Sequence, residues 1–434
     1  MRLSLVEGAT YALMVGFGET YFLADAVRIG ATRLQQGLVV TLPLCTGALG
    51  SVASLALLAR ARSRKRIVVA SSFVQVAILV ALALRGALSP TVLIGAVCLY
   101  QACGQATGTA WSSWYGDLVP KGIRGTYFAR RNRFVHLFTC AGLVSAGFLL
   151  ERLEPGAAGE VVHGAGGAGF RLVFLVAAAA RLLSVLLLAA SPELPFRGLT
   201  DAPQTLRFLA TSRGSRAWRL LGTGAALQLM VYIASPYFGP FMLKDLRFTY
   251  LEYMASSVTV VSTKFLLLPL WGRLVDGHGS RQVYTLAAVL VAIVPLPWLW
   301  ANGLLWIVPA QALSGFSWAG YEVAYFSTML DTTTKRTRPY LFGLQNVLNG
   351  SMQLLGGLLG AALLAAAHGS FRVVFAASLV LRLAVALVAP RLVPAPRMSR
   401  PIGRRALFLR MIGIRAHGGA VHRPIDDGEG PGEG

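Results

Sequence analysis

Long apolar stretches alternate with short polar segments along the whole chain, and this alternation constrains the fold more than any other feature. Each stretch is long enough for a membrane-spanning helix, which needs about 20 apolar residues. Twelve such stretches lie at approximately residues 8–28, 34–58, 67–86, 91–115, 134–150, 172–190, 220–242, 254–272, 283–301, 304–328, 342–366 and 373–390. Because helices satisfy their own backbone in lipid, the sequence predicts an all-α membrane protein with twelve transmembrane helices.

The composition fits a chain that lies mostly in lipid. Of its 434 residues, 55% are hydrophobic and only 13% are charged. Soluble domains carry about 25% charged residues. This balance excludes a disordered chain and an ordinary soluble enzyme.

The net charge of +22 is distributed by position along the chain and not along one face. Basic residues lie mainly between apolar stretches, so we expect no nucleic-acid partner. With the N-terminus placed in the cytoplasm, inner segments hold 29 Lys and Arg residues and outer segments hold eight. Because cytoplasmic loops are enriched in Lys and Arg, this split predicts that both termini are cytoplasmic. The Arg-, Ala- and Gly-rich composition favours a bacterial cytoplasmic (inner) membrane.

Polar segments divide the sequence into four parts. We predict an N-terminal six-helix bundle at residues 1–190, a cytoplasmic linker at 191–219, a C-terminal six-helix bundle at 220–392 and a cytoplasmic tail at 393–434. The linker carries Pro, Arg and Asp residues, which separate two blocks of six spans.

The two blocks are related by an internal repeat. A shift of 214 residues gives eight identities in 34 positions without a gap. The matched pairs are Asp117/Asp331, Lys121/Lys335, Arg124/Arg338, Phe128/Phe342, Asn132/Asn346, Gly142/Gly356, Leu149/Leu363 and Leu150/Leu364. A parallel repeat of this kind is one known plan of membrane transporters, with the substrate site between the halves.

The segment GRLVDGHGSR at residues 272–281 lies between the eighth and ninth spans. Its Gly272, Asp276, Gly279 and Arg281 fit the pattern G-x-x-x-D-x-x-G-x-R. This pattern resembles the signature loop of the major facilitator superfamily, and the six-plus-six plan extends the resemblance over about 390 residues. The first-half counterpart, residues 59–66, keeps basic residues but lacks the Gly and Asp. The resemblance implies transport of a small solute by alternating access.

The signature loop also suggests a gate. Asp276 can face a helix N-terminus of the other half, and Arg281 can pair with nearby carboxylates. The repeated pairs Asp117/Arg124 and Asp331/Arg338 would occupy equivalent inner helix ends and could act with the loop. The alternative is that all these groups only satisfy helix ends and set the topology.

Ionisable residues inside spans are costly and by default suggest function. Glu19 and Glu322 are the candidate proton-coupling groups, with Glu19 favoured because Lys264 would pair with Glu322 if spans eight and ten meet. Alternatively, Glu19 is permanently charged and binds a cationic substrate. Arg181 and Arg382 occupy equivalent places in spans six and twelve and are expected to be structural.

The resemblance places spans one, four, seven and ten around a central cavity. In this sequence those spans supply Tyr21, Gln105, Trp111, Gln228, Tyr232, Tyr237, Trp318 and Tyr321. Aromatic rings with a few polar groups suit an amphipathic organic solute. The alternative is that several rings face lipid, and Trp114 and Tyr115 are expected in the interfacial belt. His136 is expected to be a packed histidine, with a proton relay as the alternative.

The sequence contains no set of residues typical of catalysis or metal binding. The four cysteines lie in apolar stretches without CxxC spacing, and no Gly-rich loop ends in GK[ST]. We therefore expect no enzyme activity, no cofactor and no metal. The expected protein is a monomeric secondary active transporter whose partners are a small-molecule substrate, protons and membrane lipids. A passive uniporter, a lipid flippase and a non-transporting sensor or assembly protein are the alternatives.

Overall fold

The computed structural model describes residues 2–61, 63–84, 89–119, 124–154, 167–193, 216–332 and 338–392. In these ranges the regular structure is helical, as the sequence predicts. The helical segments are α1 (Arg2–Phe17, Glu19–Tyr21 and Phe22–Arg28), α2 (Arg33–Ala61), α3 (Arg64–Leu84), α4 (Pro90–Leu118), α5 (Arg124–Leu153), α6 (Ala168–Ala190), α7 (Arg216–Ala234, Ser235–Tyr237, Phe238–Pro240 and Phe241–Asp245), α8 (Tyr250–His278), α9 (Ser280–Ile293, then Pro297–Leu299), α10 (Leu304–Thr332), α11 (Arg338–Ala366) and α12 (Phe371–Leu392).

Nine of these segments are long and apolar enough to cross a membrane, counted over the described ranges. The other three are α1, α4 and α10. Each carries polar side chains in its apolar run, such as Glu19 in α1, Gln105 in α4 and Glu322 in α10. The segments that fall short by hydropathy are thus ones that the sequence places around a cavity.

Helix packing repeats between the N-terminal bundle (α1–α6) and the C-terminal bundle (α7–α12). In the first bundle α1 packs on α5 and α6, α2 on α4, and α3 on α4 and α6. In the second bundle α7 packs on α11 and α12, α8 on α10, and α9 on α10 and α12. The bundles meet through two equivalent pairs, α2 with α11 and α5 with α8. The fold is therefore two repeat-related six-helix bundles.

The first helix of each bundle is interrupted at the same place. A short 3₁₀ turn breaks α1 at Glu19–Tyr21 and α7 at Ser235–Tyr237. The Tyr21 hydroxyl donates to the Leu143 carbonyl, and the Tyr237 hydroxyl donates to the Gly357 carbonyl, both at 2.9 Å. The two acceptors are 214 residues apart, so the repeat read from the sequence is reproduced in single hydrogen bonds.

The two ends of the molecule differ in how the bundles pack. We call the end near Arg2 and Leu392 the terminal end and the opposite end the distal end. At the distal end, buried residues of both bundles form one hydrophobic core, which includes Tyr21, Tyr237 and Tyr253. At the terminal end, two buried clusters are separate, each within one bundle. The molecule is closed at its distal end and divided at its terminal end.

Close contacts hold the distal end shut. The rings of Tyr21 and Tyr253, from opposite bundles, have centroids 6.4 Å apart. Gly37 of α2 lies against Tyr237, and a Cβ at Gly37 would be 2.5 Å from the tyrosine hydroxyl oxygen. Only a residue without a side chain permits this approach.

Several sequence expectations need adjustment or fall outside the described residues. Helix α5 begins at Arg124, ten residues before the expected start of span five. Trp114 is not an interfacial residue, because it is fully buried and its indole donates to the Pro192 carbonyl at 3.0 Å. The linker residues 194–215 and the tail 393–434 lie outside the described ranges.

We predict that Gly37→Ala destabilises the closed distal end, because the added methyl group overlaps the Tyr237 hydroxyl. Overpacking of this kind costs about 1–3 kcal/mol, so thermal unfolding of the purified protein should occur at a lower temperature. Gly222→Ala is the control, because a Cβ there meets nothing within 4 Å. Adding Tyr237→Phe should relieve the Gly37→Ala defect. Equal melting temperatures for both glycine variants would contradict the contact.

Candidate functional site

An ion pair lies in the middle of the second bundle. Lys264 of α8 donates to Glu322 of α10 at 2.6 Å, which is the pairing that the sequence made conditional on spans eight and ten meeting. The two side chains keep 34% and 49% of their surface exposed. Charges exposed to hydrocarbon would be expensive. The pair therefore faces water that enters between the bundles from the terminal end.

His136 of the first bundle lies opposite this pair. Its ring centroid is 5.2 Å from that of Phe265, the residue next to Lys264 on α8. The charges of both Lys264 and Glu322 act on the imidazole. Helices α5, α8 and α10 thus bring three ionisable groups together where the bundles meet. This places His136 at the interface of the bundles, with ionisable neighbours that its sequence context did not reveal.

Glu19 lies apart from that cluster, inside the first bundle. It begins the 3₁₀ turn that interrupts α1 and is half-buried. Its carboxylate accepts a hydrogen bond of 3.0 Å from the hydroxyl of Tyr100, a fully buried residue of α4. The hydrogen bond described for Glu19 therefore comes from a neutral phenol.

Arg181 organises the polar interior of the first bundle. Its guanidinium donates to the Gln75 amide oxygen at 2.7 and 3.0 Å and to the Ser72 hydroxyl at 2.8 Å. It also donates to Ser184 at 3.1 Å and lies 4.9–5.5 Å class distance from an aromatic face, at 5.2 Å from the Tyr11 ring centroid. This arginine joins α3 to α6 and is shielded by α1.

A second buried carboxylate, Glu7, was missed by the sequence reasoning. It pairs with Arg131 of α5 at 2.8 Å, and Ser184 donates to its other oxygen at 3.1 Å. Arg131 also lies over the Trp111 ring, 4.2 Å from its centroid. Glu7 was passed over because the first span was started at residue 8, and Arg131 because it was counted with a loop. An acidic residue directly before an apolar run and a basic one directly before another were the available signals.

The second bundle satisfies its buried arginine differently. Arg382 donates to the carbonyls of Val231 at 2.9 Å and Val291 at 3.3 Å, and to Ser378 at 2.9 Å. The first bundle thus uses side chains around Arg181, whereas the second uses mainly backbone carbonyls around Arg382. Both arrangements fix neighbouring helices to the last helix of a bundle.

The expected cavity residues do not share one environment. Tyr21 and Tyr237 are fully buried in the distal core, and Trp111 lies beneath Arg131. Gln228 accepts a hydrogen bond from Gln353 at 3.2 Å.

The remaining cavity candidates range from buried to exposed. Tyr321 packs in the second bundle against Tyr284 and Tyr325. Tyr232 and Trp318 are partly buried, and Gln105 is exposed. In this closed-distal conformation, the tyrosines at the interrupted helices act as packing residues.

The signature loop is described only in part. Gly279 ends α8 with φ +85°, a conformation that favours glycine, and α9 follows with Arg281 in its first turn. The Ser280 hydroxyl donates to Asp331 at 2.6 Å, which ties the loop to the end of α10. Gly272 lies within α8 in open space. The side chains of Asp276, Asp117, Arg124 and Arg338 lie outside the described residues, so their gating role stays a prediction.

The described ranges contain no group of three or more His, Cys, Asp or Glu side chains able to hold a metal ion. Cys45, Cys98, Cys103 and Cys140 are free thiols. What the site brings together is charge satisfaction within bundles and an accessible ion pair between them.

Two repeat-related helical bundles with a membrane-depth opening between them define a multi-pass membrane transport protein. The family model described as Major Facilitator Superfamily matches residues 220–421, and the fold agrees over the first bundle as well. The chain belongs to the major facilitator superfamily and is a transporter, not an enzyme. No curated protein matches it by sequence.

Solved transporters share this fold at low sequence identity. An auto-inhibited peptide transporter of the POT family is 11% identical with a TM-score of 0.72, covering 93% of this chain and 99% of that one. The nucleoside transporter NupG is 13% identical with a TM-score of 0.69, covering 91% and 100%. A bacterial homolog of the human lysosomal transporter Spinster, inward-facing and occupied, is 17% identical with a TM-score of 0.62, covering 90% and 96%. At these identities the likeness establishes the fold alone.

We predict that Glu7→Gln destabilises the protein strongly, because Arg131 would remain buried without its counter-ion. Breaking a buried pair costs about 3–5 kcal/mol. Glu322→Gln is the comparison, because an exposed pair contributes about 0–1 kcal/mol. Thermal unfolding in detergent measures both.

A compensated variant tests the reason for this loss. The repeat offsets align Glu7 with Thr223 and Arg131 with Gln345, so the second bundle has a neutral version of the same pair. Glu7→Thr with Arg131→Gln should be more stable than Glu7→Gln alone. A melting temperature of Glu7→Gln equal to that of the wild type would show that the pair does not stabilise the bundle.

Proposed function

We propose that this protein is a secondary active transporter that moves a small organic solute by alternating access, coupled to protons, in a bacterial cytoplasmic membrane. The observation that carries the proposal is the single core shared by both bundles at the distal end, against two separate clusters at the terminal end. A pathway open on one side only is one of the two states that alternating access requires. With both termini cytoplasmic, this state is open to the cytoplasm.

The symmetry of the interface supports a rocking motion. The bundles meet through α2 with α11 and through α5 with α8, which are equivalent pairs in the repeat. A rotation of one bundle over these pairs separates contacts at one end and forms contacts at the other. The distal packing of Tyr21 and Tyr237 is then what has to open.

Two carboxylates have different suitability for proton coupling. Glu322 is held close to Lys264 at 2.6 Å, which favours its charged form. Glu19 accepts its described hydrogen bond from the Tyr100 phenol, and burial disfavours its charge. Glu19 is therefore the primary coupling group, and Glu322 with Lys264 forms a charged part of the solute pathway.

The amphipathic character of the solute is an inference from the residues near the opening. Glu322 and Lys264 offer one charge of each sign, and Gln105 is an exposed amide on α4. Trp318, partly buried on α10, adds an aromatic surface. These groups suit an organic molecule with both polar and apolar parts.

We predict that Glu19→Gln exchanges solute across the membrane but fails to concentrate it against a gradient, because an amide imitates the protonated carboxyl and cannot release a proton. Uptake into vesicles is measured with a solute panel, with and without an imposed pH gradient. The wild-type protein should accumulate its solute only with the gradient.

Several outcomes would contradict this assignment. Full gradient-driven accumulation by Glu19→Gln excludes Glu19 as the coupling group, and loss of solute binding as well moves Glu19 into the substrate site. Wild-type flux that only equilibrates solute indicates a passive uniporter, and movement of labelled lipid without solute indicates a flippase. A C-terminal tag that a protease removes only from inside-out vesicles reports the expected orientation.

A further inference from the structure

A groove lies on the outer face of the first bundle, away from the opening between the bundles. It is enclosed by the beginning of α3 and the end of α6, at the terminal end of the molecule. Its volume is about 720 Å³. The lining residues are Ser63, Lys65, Arg66, Val69, Ala70, Phe73, Ala189 and Glu193.

The groove changes from basic to apolar along its length. Lys65 and Arg66 lie at its mouth in the first turn of α3, and Arg66 is exposed. Phe73 lies seven residues beyond Arg66, or about 10 Å deeper along the helix, and is 57% exposed. A ligand that fits this arrangement has an anionic head and an apolar chain.

The acidic residue at the mouth is engaged within the protein. Glu193 accepts the backbone N–H of Lys65 at 3.0 Å and the hydroxyl of Ser63 at 2.8 Å, so it caps the first turn of α3. The Lys65 ammonium donates to the Ser191 carbonyl at 3.0 Å, and two of its three protons remain available for a further acceptor.

The position of the groove supplies a source for such a ligand. Residues 60–66 hold five Lys and Arg residues at the start of a membrane-spanning helix. Basic clusters at the membrane surface attract anionic phospholipids, and basic pockets between helices bind their head groups. Arg64 turns inward to the Ser113 carbonyl at 3.0 Å, which leaves Lys65 and Arg66 to line the groove.

We propose that this groove binds one anionic phospholipid from the leaflet at the terminal end. Its phosphate contacts Arg66 and Lys65, and one acyl chain lies along Val69, Ala70 and Phe73. The lipid bridges α3 and α6 on the side of the bundle that faces the bilayer. It is a bound component of the protein surface and is separate from the transported solute.

Native mass spectrometry of the full chain in detergent tests this site. The protein is titrated with phosphatidylglycerol or with phosphatidylcholine of the same acyl chains, and the wild type should retain one phosphatidylglycerol more tightly. A basic residue near an anionic surface contributes about 1 kcal/mol, so Arg66→Gln should weaken that binding about five-fold. Ala70→Trp should displace the lipid by filling the groove while keeping both basic residues.

Controls separate the groove from general charge effects and from free phosphate esters. Arg152→Gln removes an exposed charge at the distal end and should leave phosphatidylglycerol binding unchanged. Excess glycerol phosphate should not displace the lipid, and melting temperatures confirm that each variant is folded. Equal retention of both lipids, unchanged binding in either Arg66→Gln or Ala70→Trp, or displacement by glycerol phosphate would overturn the proposal.

Discussion

The structure depends on one constraint, which is that a charge inside an apolar layer has to find its partner within the protein. The first bundle meets it with the Glu7–Arg131 pair and with side chains around Arg181. The second bundle places Arg382 on backbone carbonyls. Lys264 and Glu322 pair with each other but keep contact with water, so they mark the pathway and not the bundle interior.

The repeat preserves packing and varies charge. Tyr21 and Tyr237 make the same hydrogen bond in both bundles, and both lie at a break in the first helix. By contrast, the buried ionic pair of the first bundle is aligned with Thr223 and Gln345 in the second. A shared architecture lets the bundles rock as equivalent bodies, whereas the difference in charge gives each bundle its own chemistry.

The sequence predicted the helices and the repeat because hydrophobic length and aligned identities are properties of local segments. It also named Lys264 and Glu322, but a single sequence does not tell which helices meet. Glu7 and Trp114 show the limit: both lie near the end of an apolar run, where burial depends on neighbouring helices. The exposed pair facing His136 likewise required the packing of α5 against α8.

The central claim is that the two ends of the pathway open in turn, and distance measurements between spin labels test it most directly. In a variant without the native cysteines, one label pair is placed at the repeat-equivalent residues Ser112 and Phe326 near the terminal end. A second pair is placed at Val92 and Leu305 near the distal end. When a transported solute and a pH gradient drive turnover, the first distance should shorten as the second lengthens. A distal distance that stays fixed while solute crosses the membrane would contradict alternating access.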